Sequence, residues 1–315
     1  MSKLFSTDYK SPGWLFNGHL QTVIPAMMRS APLKKPYTRI RIATPDDDFL
    51  DLDTLVTGSR SVVVLSHGLE GNSSRAYMTG MANAMVAGGH DVVAWNFRGC
   101  SGEMNRQPVL YHSGATHDLQ TVIDHIGERY DEIYLVGFSL GGNLTLKYLG
   151  ETARSFRIKK AVVFSVPLDL KAGAEHLARP SNYLYQRRFL RSLDQKIRAK
   201  QKQFPGLLQN PTDVATIFDF DDRYTAPLHG FGGAVDYYAR CSSKTFLGGI
   251  TIPTLIVNAW NDPFLPIECL EVPQTLPKGN VQFEVPNSGG HCGFPGQQNG
   301  QLWSEWRAVE FIGTN

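Results

Sequence analysis

The chain has 315 residues, 42% of them hydrophobic and 19% charged, a balance that excludes a disordered, fibrous or small disulfide-stapled protein. Lys and Arg number 31 against 29 Asp and Glu, and the resulting charge of +2 leaves no global electrostatic footprint for nucleic acid. No apolar run reaches the roughly 18 residues that a membrane span needs. Residues 1–10 lack the apolar core of a signal peptide, so the expected compartment is the cytoplasm. Cys100, Cys241, Cys269 and Cys292 are widely separated and form no CxxC pair, which suits reduced thiols and suggests neither a metal nor a redox site.

In chain order, residues 37–44 and 49–56 read as two strands joined by the turn-forming Pro45-Asp46-Asp47-Asp48, an antiparallel start. Residues 61–66, Ser-Val-Val-Val-Leu-Ser, form a continuous β-branched run of the kind found in a strand covered on both faces. Met78, Met81, Ala82, Met85 and Val86 recur at helical spacing and stop at Gly88-Gly89. A strand over 91–96, a helix through Leu119, Val122, Ile123 and Ile126, and a strand over 132–138 follow. Next come a helix through Leu144 to Leu149, strands over 161–166, 254–259 and 281–285, and a closing helix over 298–311. The alternation predicts an α/β fold with a mostly parallel twisted sheet flanked by helices. Only residues 171–248 break it, with helical patterns and aromatic clusters, and they are expected to form a helical cap inserted in a single domain spanning 1–315.

Gly137-Phe138-Ser139-Leu140-Gly141 fits GxSxG, with an apolar strand before it and a helix after it. Such a turn leaves room only for glycines beside a serine that projects from the sheet edge. A serine hydroxyl needs a base, and the base needs an orienting carboxylate. His291 lies in the glycine-rich Ser288-Gly289-Gly290-His291-Cys292-Gly293 after the last strand, and Asp262 lies in Trp260-Asn261-Asp262-Pro263 after the strand before it. The order Ser139, Asp262, His291 is that of a hydrolase triad. The expected oxyanion donors are the backbone amides of Leu140, next to the nucleophile, and of Leu69, in the His67-Gly68-Leu69-Glu70-Gly71 loop after an early strand. His67 itself reads as structural.

Together with His67-Gly68, Asn96-Phe97-Arg98-Gly99, Asn261-Asp262-Pro263 and Gly290-His291, these motifs resemble the α/β-hydrolase fold. Within it the chain is similar to the YheT-like branch, through Trp14-Leu15-Phe16-Asn17-Gly18-His19-Leu20-Gln21-Thr22 and Leu110-Tyr111-His112-Ser113-Gly114. The resemblance implies a serine hydrolase of carboxylic esters, a carboxylesterase on short- to medium-chain acyl groups, with Ser139, Asp262 and His291 as triad. It needs no metal or organic cofactor and takes a small-molecule or lipid-like ester. An HxxxxD acyltransferase pattern carried by some relatives is absent, since His117 follows His112 by five and Asp118 comes one position late.

The same triad also serves thioesterases and acyltransferases, and a non-catalytic receptor on this fold is the alternative outside enzymes. Residues 186–202 form a basic amphipathic helix, read either as a cap helix with a solvated basic face or as a weak contact with a membrane surface. The arm formed by residues 1–36 is expected to pack along the body, with no role assigned to Asn17, His19 or Gln21.

Overall fold

Eight strands form one sheet, whose central strands carry apolar runs buried on both faces. The computed structural model describes residues 9–151, 155–207, 214–271, 279–298 and 301–314. The first eight residues of the expected arm, residues 208–213 of the expected cap, and residues 299–300 of the expected closing helix lie outside them. The elements are α1 (Gly18–Met28), β1 (Thr38–Ala43), β2 (Phe49–Leu55), β3 (Ser61–Ser66), α2 (Ala76–Ala87) and β4 (Asp91–Asn96). They continue with α3 (Thr116–Ile126), β5 (Glu132–Phe138), α4 (Leu140–Glu151) and β6 (Ile158–Phe164). Next stand α5 (Leu170–Leu177), α6 (Tyr183–Gln203), α7 (Ile217–Phe220), α8 (Ala226–Leu228) and α9 (Ala234–Cys241). The chain then returns to the sheet with β7 (Thr254–Val257) and β8 (Val281–Glu284) and closes with α10 (Trp303–Gly313).

The sheet order is β1-β2-β4-β3-β5-β6-β7-β8, antiparallel at β1/β2 and β2/β4 and parallel elsewhere. Alternate residues of one strand serve opposite core layers. Val62 and Val64 join Leu119, Val122 and Leu144 of α3 and α4, whereas Val63 and Leu65 join Met78 and Met81 of α2 and Phe311 of α10. Both faces are thus dry along the central strands, which read as apolar runs rather than alternations.

Register sets the site. Ser66 stands beside Gly137, Phe138 beside Phe164, Phe164 beside Val257, and Val257 beside Glu284, so these parallel strands end level. The loops after β3, β5, β7 and β8 therefore share one rim. Sheet order reverses between β4-β3 and β5, where ligands of open α/β sheets bind beyond the strands' carboxyl ends.

Several element boundaries differ from expectation: the closing helix starts at Trp303 rather than 298, because Gln301 and Leu302 pair with Gln298 and Gln297 as a short antiparallel ladder, and both ends of β6 shift. β6 starts three residues early because its lysines remain satisfied at the sheet: Lys160 Nζ donates to the Phe311 and Ile312 carbonyls, both at 3.1 Å, at the end of α10. It stops at Phe164 because Ser165 takes φ +53°. Between β6 and β7, residues 170–249 hold helices and no strand among the described residues. No helix among the described residues is long and apolar enough to cross a membrane.

Candidate active site

Ser139 stands at the sharp turn between β5 and α4 with φ +52°, a left-handed conformation that costs an L-residue about 1 kcal/mol or more. Its amide donates to the Phe164 carbonyl at 2.9 Å, so the neighbouring strand β6 holds the turn. Gly141 is required by the crowding beneath it, where an added Cβ would lie 2.4 Å from the carbonyl oxygens of both Ser66 and His67. The strain at Ser139 aims its hydroxyl away from the sheet into the rim.

Ser139 Oγ lies 3.0 Å from His291 Nε2, and His291 Nδ1 lies 2.9 Å and 3.1 Å from the two Asp262 carboxylate oxygens. The three sequence candidates are therefore joined in one hydrogen-bonded chain. Asp262 Oδ1 also accepts from the Phe264 amide at 2.8 Å, so its turn geometry and its contact with the imidazole coexist. The Phe264 ring packs on the imidazole with centroids 4.2 Å apart. Burial works against an imidazolium at His291, but the adjacent Asp262 carboxylate outweighs it and holds the ring above the ordinary histidine range.

The arm supplies what sequence reading left without a role. Asn17 caps α1 by accepting from the Leu20 amide at 2.8 Å. Buried Gln21 then accepts through Oε1 from the Gly289 amide at 2.7 Å and from Asn261 Nδ2 at 2.9 Å, and it donates to the Leu15 carbonyl at 2.6 Å. Thr22 Oγ1 accepts from the His291 amide at 2.9 Å, and Asn261 Oδ1 accepts from the Gly290 amide at 3.1 Å. One helical turn thus clasps the acid loop to the histidine loop. The clasp is close enough that a Cβ on Gly293 would meet the Gln21 carbonyl at 1.9 Å.

The loop after β3 lies against the serine, since a Cβ on Gly68 would be 3.2 Å from Ser139 Cβ. Leu69 follows in that loop, and Leu140 heads α4, where first-turn amides lack intrahelical acceptors. His67 is buried beneath them. Its Nδ1 is 2.8 Å from the Gly68 carbonyl and its Nε2 accepts from the Phe97 amide at 3.1 Å, which fixes a neutral tautomer with the proton on Nδ1. Burial pushes its pKa down to about 3. His67 thus organises the loop.

Glu70, at φ +53°, ties the same loop to α6. Its Oε1 accepts from Tyr111 Oη and from Lys196 Nζ, both at 2.7 Å, and its Oε2 is bonded to Ser192 Oγ. Further along, Lys200 Nζ donates to the Asn105 carbonyl at 2.6 Å, and burial draws its pKa down to about 8. The basic face of this helix is therefore solvated only in part. His112 is buried with its Nδ1 accepting from the Gly114 amide at 3.1 Å, while His117 is exposed on α3. Among the described residues, no group of three or more His, Cys, Asp or Glu side chains is placed to hold a metal ion.

Two cavities meet at Ser139 and His291, with Leu69, Phe189 and Phe264 in both walls. The first, about 1050 Å³ with part of it open to solvent, runs under the helices inserted between β6 and β7. Leu110, Leu170, Leu193, Ile197 and Phe220 make its wall chiefly apolar. The second, about 1270 Å³ on the same measure, opens between α1 and α6 beside Met27, Arg75 and Arg188.

Comparison with known proteins agrees with this architecture. The pattern of the alpha/beta hydrolase fold family matches residues 61–296. The chain is 34% identical over 310 residues to "Putative esterase YheT" of Escherichia coli (strain K12), covering 95% of this chain and 91% of that one. It is 28% identical over 295 residues to "Phospholipase ABHD3" of Homo sapiens, covering 89% and 72%. Among solved structures, an esterase of Pyrococcus furiosus, Pf2001, aligns with a TM-score of 0.60 at 16% identity over 88% of this chain and 89% of that one, a likeness of fold.

Proposed function

The chain belongs to the α/β-hydrolase-fold family, and from that premise we propose that it hydrolyses carboxylic esters through Ser139, His291 and Asp262. The observation that carries this reading is the hydrogen-bonded chain from Asp262 through His291 to Ser139 Oγ, opening on an apolar cavity. The names of its relatives, an esterase and a phospholipase, support the same chemistry. The helices between β6 and β7 act in this reading as the cap that covers the acyl group.

Ser139 Oγ attacks the ester carbonyl as His291 Nε2 takes the hydroxyl proton. The carbonyl oxygen gains negative charge and is held by the Leu69 and Leu140 amides. Collapse of the intermediate breaks the C–O bond to the alcohol, which leaves with the proton from His291. Water, deprotonated by the same imidazole, then cleaves the acyl–Ser139 ester and releases the acid. Asp262 keeps the imidazole proton on Nδ1 and stabilises the transient imidazolium. The acyl chain lies in the apolar cavity under the cap, and the alcohol side faces the second cavity. Short to medium acyl chains are the occupants expected in the first cavity.

Incubation with a fluorophosphonate is expected to label the native chain at one site, mapped to Ser139 by peptide mass spectrometry, and to abolish turnover of p-nitrophenyl esters of graded chain length. A chain that neither labels nor hydrolyses any of them refutes the reading.

Gln21→Ala removes the acceptor for the Gly289 amide and for Asn261 without touching the triad. Loss of loop positioning of this kind lowers kcat by roughly 10- to 100-fold. Gln21→Glu keeps an acceptor at the same reach and is expected to recover part of that loss. An unchanged kcat in the alanine variant would show that the clasp has no catalytic consequence.

A further inference from the structure

Three segments distant in sequence touch one another at the entrance to the Ser139 cavities. Gly18 of α1 presses on the Asn261 carbonyl, where an added Cβ would lie 1.8 Å away. His19 Nδ1 and Tyr185 Oη are 3.2 Å apart, with stacked rings. Asn182 donates to the Pro263 carbonyl at 2.7 Å, and the Tyr185 and Phe264 rings meet edge to face at 4.8 Å. Within two residues of these contacts stand large apolar side chains in solvent: Phe16 is 79% exposed, Leu184 77%, Trp260 57% and Tyr183 55%. A lone exposed apolar residue needs no explanation, but four from three segments around one opening do. None of the four lines either cavity, so enclosing a substrate does not account for them.

Cations share this rim. Arg187 and Arg191 follow Tyr183 at helical spacing, Arg188 follows Leu184, and all three arginines are exposed. The one acid of α6, Asp194, pairs with Arg198 at 2.7 Å, and none of the three arginines has a carboxylate partner among the described residues. Apolar side chains interleaved with unpaired cations match the boundary between acyl chains and anionic headgroups. A second copy of the chain fits less well, because a two-fold contact through this patch would set arginines against arginines.

We propose that this rim docks on a lipid bilayer bearing anionic headgroups. Phe16, Tyr183, Leu184 and Trp260 enter the acyl boundary, and Arg187, Arg188 and Arg191 meet the phosphates. The cavity beside Met27 and Arg188 then opens toward the bilayer, and a lipid-borne ester reaches Ser139 without crossing bulk water.

The test uses the full chain with vesicles of phosphatidylcholine alone and of equal phosphatidylcholine and phosphatidylglycerol. Sedimentation is expected to show binding to the mixed vesicles about tenfold tighter or more, weakened by salt, with a blue shift of tryptophan emission. Combined Phe16→Ser, Leu184→Ser and Trp260→Ser changes are expected to weaken that binding by roughly 10- to 100-fold. The same variant is expected to retain turnover of a water-soluble p-nitrophenyl ester, which reports an intact fold and site. Combined Arg187→Gln, Arg188→Gln and Arg191→Gln changes are expected to remove most of the preference for the anionic vesicles. Equal binding to both vesicle types, binding untouched by the apolar substitutions, or a dimer in solution that those substitutions dissolve would each overturn the proposal. Absence of all esterase activity alongside normal vesicle binding would instead count against the proposed reaction and leave the docking surface standing.

Discussion

Replacing Ser139 with Ala is expected to reduce kcat for ester hydrolysis by roughly 10⁴- to 10⁶-fold, to a residue that the oxyanion donors and binding alone sustain. The structural cost is small by comparison. One hydrogen bond to His291 Nε2 is lost, about 1 kcal/mol, while the φ +52° conformation is as strained for Ala as for Ser. Ser139→Gly separates the two effects, since Gly removes the left-handed penalty and is expected to be equally inactive yet to match or exceed the wild type in thermal stability. Steady-state turnover and calorimetry on the three proteins read this directly. Activity in either variant within tenfold of the wild type would dismiss Ser139 as nucleophile.

Asp262→Asn is expected to cost about 10³- to 10⁴-fold in kcat, because the amide can present an N–H to His291 Nδ1 and drive the ring proton to Nε2, where it blocks proton transfer from Ser139. Its second signature is in pH. The base must be neutral to work, so a ring held above the ordinary histidine range makes wild-type activity climb as pH rises through neutrality into the alkaline region. With the carboxylate gone, the largest influence that raises the imidazole is removed, burial is opposed only by Cys292, and the acidic limb of the residual activity moves to lower pH. The linkage to folding has the matching sign: the raised pKa stabilises the native state below the histidine's unfolded value, and that contribution is lost as pH rises through the folded one. A pH–rate profile identical in shape to the wild type's would remove Asp262 from its partnership with His291.

The three residues of the proposed triad could be singled out in the sequence because each carries a local signature: glycines around Ser139, a strand followed by Asn-Asp-Pro at Asp262, and paired glycines before His291. The clasp could not. Gln21 and Thr22 bond groups 240 to 269 positions away, mostly backbone amides of a glycine loop, and such bonds impose no periodicity on either partner. The local sign was Asn17, a helix cap ahead of an apolar stretch. Lys196 and Lys200 were obscured for a related reason. A lysine on an amphipathic helix reads as solvated, and its burial depends on Glu70 and on the Asn105 carbonyl, which come from other loops. The start of β6 was hidden likewise, because Lys160 finds its acceptors on α10.

The position of α1 also bears on when the protein can work during its own synthesis. Tyr9 Oη donates to the Pro295 carbonyl at 2.6 Å, Gln21 and Thr22 hold residues 261, 289 and 291, and Arg29 pairs with Glu305. These residues therefore wait for partners that leave the ribosome 240 to 286 positions later. Strands β3 to β6 can pair while translation proceeds, and the Ser139 turn can form with them. In the proposed reaction, a nascent chain carries the nucleophile Ser139 but lacks its base until residues 289–291 emerge and are fastened by α1.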